Sequence, residues 1–140
     1  MEDADEEMGF IGEFASPDGH QAVIVEDDGR VCYAYLLDSD GKIVSDVWLY
    51  NRCPTPTEPE WHRRELLPFA NPALFVNQTA RFVPPVSSSE ITVDRVVESG
   101  ARMARVLLGG DLFAKLTDGI KPGWARLAAK DGPLARVLSS

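Results

Sequence analysis

With 140 residues, 44% of them hydrophobic and 26% charged, the chain has the size and balance of one globular domain able to bury its own core. No apolar run approaches the roughly 20 residues that a bilayer crossing needs, and two cysteines, Cys32 and Cys53, without C-x-x-C spacing, give no disulfide framework. The net charge of −8 is uneven: residues 1–60 hold 15 acids and 3 bases, and 61–140 hold 7 and 11, so the first half repels nucleic-acid phosphate and suits a basic protein partner or simple solubility.

The chain opens on "MEDADEEM" (1–8), an acidic tail expected to be disordered. A signal or transit peptide would be basic there, so the expected compartment is the cytosol. Residue usage, rich in Ala, Arg, Val and Asp and poor in Lys, leans bacterial.

From Phe10 to Tyr50 the pattern is β. Three turn signals, "SPDG" (16–19), "EDDG" (26–29) and "DSDG" (38–41), each end in Asp-Gly, which suits the positive φ of tight hairpins. Between them "VCYAYLLD" places Val31, Tyr33, Tyr35 and Leu37 on one face, and "KIVSDVWLYN" alternates Ile43, Val47 and Leu49 against Val44, Trp48 and Tyr50. With "HQAVIVE" and "FIGEFA", this reads as a four-stranded antiparallel meander.

Residues 51–87 hold seven of the ten prolines. "NRCPTPTEPEWHRRELLPF" (51–69) packs a cysteine, a histidine, carboxylates and arginines together and reads as a proline-stiffened loop with Trp61 as its anchor. "ALFV" (73–76) and "ARFV" (80–83) suggest one more short hairpin.

The last third reads as helical. Ser87 stands three residues before Glu90, as in a capping box. Val93, Val97, Ala101, Ala104 and Leu108 then recur at helix spacing, and Gly109-Gly110 stops the run. Arg95, Glu98, Arg102 and Arg105 would form its polar stripe, with Glu98 and Arg102 as an i,i+4 pair. Asp111 caps a second short helix and Pro122 opens a third. The expected fold class is α+β: the N-terminal meander packed against C-terminal helices, as a single domain over 9–140.

Chemistry-bearing motifs are few. Cys32, Cys53, His20 and His62 are spaced 12, 21 and 9 residues apart, whereas zinc sites bring their ligands in close pairs. "DSDGKIVSDVW" lacks the acid that completes a calcium loop. No P-loop, G-x-S-x-G or dinucleotide fingerprint occurs. Cys53 with His62, helped by Glu58, Glu60 or Glu65, is the one nucleophile–base combination available. No metal or cofactor is expected.

At "DGKIVSDVWLYNRCPTPTEPEW" the chain resembles small bacterial immunity proteins, the cytosolic antidotes encoded beside secreted toxins. The resemblance covers about residues 38–61 and carries over no functional residues. It implies a non-catalytic protein that occludes or distorts the active site of a toxin. The expected function is therefore a non-enzymatic binding module for a basic toxin or effector domain, without nucleic acid or membrane. An adaptor or chaperone for a secreted effector, and a small enzyme using the Cys53–Glu65 loop, are the alternatives. The expected partner-binding residues are Asp18, Asp38 and Asp40 at the hairpin turns, and Glu58, Glu60, Trp61, Arg63 and Arg64 in the loop.

Overall fold

A computed structural model describes residues 9–80 and 82–138; the acidic tail expected over 1–8 lies outside the described residues. The meander is present as β1 (Phe10–Ala15), β2 (Ala22–Asp27), β3 (Val31–Leu37) and β4 (Ile43–Asn51), antiparallel and in that order across one sheet. Alternation sends Val23, Val25, Ala34, Leu36 and Val47 inward. A register shift between Cys32 and Tyr33, paired with Tyr50 and Trp48, leaves Leu49 as an extra residue. That bulge breaks the alternation, and Val47, Trp48, Leu49 and Tyr50 are all buried.

The C-terminal part corrects the α+β expectation. It is a second sheet, ordered β5 (Ile91–Glu98), β6 (Ala101–Leu108), β7 (Asp111–Leu116), β8 (Trp124–Ala125) and β9 (Arg136–Val137), and the only helical pieces among the described residues are three-residue 3-10 turns. "ITVDRVV" is dense in β-branched side chains, which fit a pleated surface better than a helix. Ser99 and Gly100 (φ 52° and 81°) and Gly109 and Gly110 (φ 59° and 88°) are both two-residue hairpin turns with positive φ throughout. The glycine pair read as a helix stop is thus a strand reversal. Ser87 does accept a hydrogen bond from Ser89 N, and Glu90 Oε2 one from Val86 N, but this cap starts a single 3-10 turn. Residues 73–75 also form a 3-10 turn in place of the expected hairpin, followed by a bridge between Val76 and Ala128.

The polar stripe assigned to a helix is dispersed across strands. Arg105 holds Asp94 from the neighbouring strand at 2.7 Å, Lys115 holds Glu98 at 2.9 Å, and Arg102 reaches Asp18 at 3.2 Å. Val97, expected in the core, is 70% exposed, while Ala104 and Leu108 are buried as expected.

One hydrophobic cluster joins the inward faces of both sheets, with Val25, Leu36 and Trp48 from the first and Val106, Ala114 and Leu116 from the second. The sheets are also tied at both margins. Arg95 Nη2 donates to Phe14 O, and on the other side Gly119 N, Gly123 N and Trp48 N donate to Val44 O, Asp46 O and Leu134 O. The result is a β-sandwich.

Candidate functional site

The proline-rich connection between the sheets is held in one shape by side chains that the meander supplies. Arg30, in the β2–β3 turn, donates from Nη2 to both oxygens of Glu60 at 2.6 Å and from Nη1 to Leu66 O and Pro68 O at 3.2 Å. Glu60 also accepts from Ala70 N. Tyr33 Oη donates to Phe69 O at 2.7 Å. Asn51 and Asn71 bond reciprocally, Asn71 N to Asn51 Oδ1 and Asn51 Nδ2 to Asn71 O, and Ala73 N donates to Pro56 O. Prolines reduce the conformations such a segment loses on being fixed, so side-chain pins suffice where no ladder exists.

This fixed loop faces outward with apolar side chains. Trp61, Leu67, Leu74, Val83 and Val86 are all exposed. Trp61 leans on Phe75 with ring centroids 6.1 Å apart, and Lys130 Nζ lies 5.7 Å from the centroid of the same ring. Gly132 admits that ring: a Cβ there would come within 2.8 Å of it. Trp61 thus touches Phe75 of the same connection and leaves 37% of its surface exposed, so the pins, and not this ring, fix the loop.

The residues expected to meet a partner fall into two groups. Ala22 pairs with Leu37, so the turns carrying Asp18, Asp38 and Asp40 share one end of the sheet. Asn51 pairs with Val31, so the chain enters the proline loop at the opposite end, beside Arg30. Trp61 therefore does not stand with the aspartates. Asp18 accepts from Ser16 Oγ and His20 N, which hold its carboxyl down to about 2, with Arg102 adding to the effect. Asp38 Oδ1 accepts from Asp40 N and Lys42 N and so builds its own turn, while Asp40 is exposed. Glu58 and Arg64 are exposed, and Arg63 pairs with Glu65 across 3.0 Å of open surface. Glu60 differs from expectation: its side chain is only 12% exposed and serves Arg30.

Between the loop and the outer face of the first sheet lies a recess of about 300 Å³. The sheet contributes Tyr33, Tyr35 and Asp46; the loop contributes Pro68 and Phe69, and residues 133–134 close the far side. Tyr33 and Tyr35 stack with centroids 6.1 Å apart and planes 13° from parallel. Burial pushes the Tyr35 hydroxyl up to about 12, and it pushes the Asp46 carboxyl up as well, against a smaller opposite pull from Lys121. The sequence offered one signal here, the placement of both tyrosines on a single strand face. It gave none for Arg30, whose partner is thirty residues away.

A second polar cluster is internal. The fully buried Asp27 accepts from Tyr50 Oη and Arg52 Nε, both at 2.6 Å, and from Gly29 N at 2.8 Å. Arg52 continues to Pro85 O. Tyr50, Phe82 and Phe113 follow as a chain of tilted rings at 5.0 Å spacing. Both carboxylate oxygens are engaged, which makes this a tie between the end of β2 and the segments that connect the sheets. Burial raises the Cys53 thiol in spite of Arg30 nearby, the reverse of what an attacking thiolate needs, and no hydrogen bond joins Cys53 to His62 among the described residues. No group of three His, Cys, Asp or Glu side chains placed to hold a metal occurs among the described residues, nor does any helix long and apolar enough to cross a membrane. No protein-family model matches the chain, and no curated protein or solved structure does.

Proposed function

We propose that the chain is a non-enzymatic protein-binding module that acts in the cytosol as an immunity-type inhibitor of a basic toxin domain. One observation carries the binding part of this reading: a loop pinned by Arg30, Tyr33 and Asn51 that holds Trp61, Leu67 and Leu74 out in water. Exposed apolar groups on one segment cost solubility unless a partner covers them. Fixing them beforehand removes the ordering entropy that association otherwise loses. The acidic half supplies the field that draws in a basic partner and speeds the encounter. The immunity role itself rests on the likeness of residues 38–61 to such antidotes.

Co-expression with the product of the adjacent reading frame tests this reading. A complex that survives size exclusion, together with rescue from that product's toxicity, supports it. Trp61→Ala combined with Leu74→Ser should weaken the complex at least about tenfold without changing the thermal midpoint. Absence of a complex, or a complex indifferent to both substitutions, overturns it.

A further inference from the structure

The recess above Tyr33 and Tyr35 has an unusual charge arrangement. Asp46 faces Tyr35 directly across the β3–β4 register, and Glu26 faces Tyr33 across β2–β3. Among the described residues Asp46's side chain has no hydrogen bond and no ion pair, although it is half-buried. Its one charged counterweight is Lys121, which is exposed. Glu26 and Asp28 add further negative potential at Tyr35. A carboxylate drawn partly out of water and left without a partner is costly, and an incoming group that pairs with it recovers that cost.

The rest of the lining restricts which group that is. Tyrosine faces carry negative quadrupole and attract cations, and the proline and leucine walls accept methylenes. An anion is repelled by Asp46 in the lining and by Glu26 and Asp28 outside it, while Arg30, the cation behind Pro68, is already paired with Glu60. A neutral apolar group would seal Asp46 in without a partner. A volume of about 300 Å³ lies at the small end of ligand pockets, the size of a side chain more than of a cofactor.

We propose that this recess is a binding site for an alkyl cation, and that its occupant is a lysine or arginine side chain of the protein partner. The stem lies along Tyr33, Tyr35 and Pro68, and the charged head meets Asp46. The assignment of a protein source rests on the binding-module reading above, and it places the captured side chain beside the exposed Leu67, so apolar loop and cation site act as one contact surface.

Nuclear magnetic resonance titration of the whole chain with N-acetyl-arginine methylamide and N-acetyl-lysine methylamide tests the site apart from any partner. At least one of them should give saturable shifts at Tyr33, Tyr35 and the Asp46 carboxyl, with affinity in the millimolar range. The neutral analogue N-acetyl-citrulline methylamide should bind at least about tenfold more weakly, and Asp46→Asn should lose a similar factor without any fall in its thermal midpoint, since it removes a carboxylate that burial disfavours. Equal binding of the citrulline probe, wild-type titration of Asp46→Asn, or no saturable shift overturns the cation site. A protein complex that persists while the probes fail removes the recess alone. Probes that bind while no protein complex exists overturn the protein source of the cation.

Discussion

Arg30 reaches both carboxylate oxygens of Glu60 with a single nitrogen, at 2.6 Å each, while its other terminal nitrogen holds the carbonyls of Leu66 and Pro68. One residue of a hairpin turn thereby fixes the backbone of a loop thirty positions later. Arg30→Ala should cost about 1–3 kcal/mol in urea unfolding, reduced from the cost of breaking a fully buried pair because Arg30 is partly exposed. Hydrogen exchange should locate the damage: the Ala70 amide loses protection while β5 and β6 keep theirs. Unchanged exchange at Ala70 would mean that the prolines alone hold the loop.

The internal cluster should be less forgiving. Tyr50→Phe removes the hydroxyl that donates to the fully buried Asp27 and should cost about 1–3 kcal/mol. Asp27→Ala leaves Arg52 charged and largely enclosed, and should cost about 3–5 kcal/mol. The two urea midpoints compared with wild type check the ranking.

Carboxyl titration should separate three aspartates. Asp18 should titrate near 2, and Asp94 below the ordinary range because of Arg105. Both are depressed in the folded chain, so whatever stability they contribute is present above the ordinary aspartate value and is lost as pH falls through the folded one. Asp46 is raised by burial: its effect runs the other way, opposing folding once pH rises past the ordinary value. An Asp46 midpoint equal to that of a free aspartate would show that the recess is wet.

How much of this was legible follows from where each signal sits. The meander was readable because Asp-Gly turns and alternation are local. The second sheet reads as helix in sequence because Val93, Val97, Ala101, Ala104 and Leu108 satisfy a helical period as well as, in part, a strand period. The deciding evidence was the β-branched run from Ile91 and the spacing of two positive-φ turns eight residues of strand apart. Glu60 looked like a free surface acid because nothing near it in sequence names Arg30. Nothing near Asp46 in sequence marks it either, because Phe69 and Leu134, which line the recess with it, are distant in the chain.

The strand at β5 sets the outcome of one substitution. Val97→Asp, destructive if a buried helix stripe existed, should change stability by less than about 0.5 kcal/mol at an exposed strand position. Leu116→Ala, at 0% exposure, should cost about 2–5 kcal/mol. Calorimetry on the two variants discriminates the folds directly.

Charge reversal at the far end needs the same care. Asp38→Lys removes the acceptor for two turn amides and should itself cost about 1 kcal/mol. Asp40→Lys is the cleaner probe: it should leave the thermal midpoint unchanged and slow association with a basic partner, most at low salt. An association rate indifferent to Asp40→Lys and to salt would leave the acidity to solubility.

The three backbone bonds along the outer side of β4, at Val44, Asp46 and Trp48, are made by Gly119, Gly123 and Leu134, which flank β8 and belong to no strand themselves. The segment 119–134 works as a cover on a sheet edge that would otherwise template the addition of a foreign strand. Cleavage near residue 130 would take away the partner of the Trp48 amide and lift Leu134 from the sheet. The shortened chain should then pair edge to edge with its own copies and precipitate, and proteolysis in this one stretch would convert a well-behaved sandwich into an aggregating one.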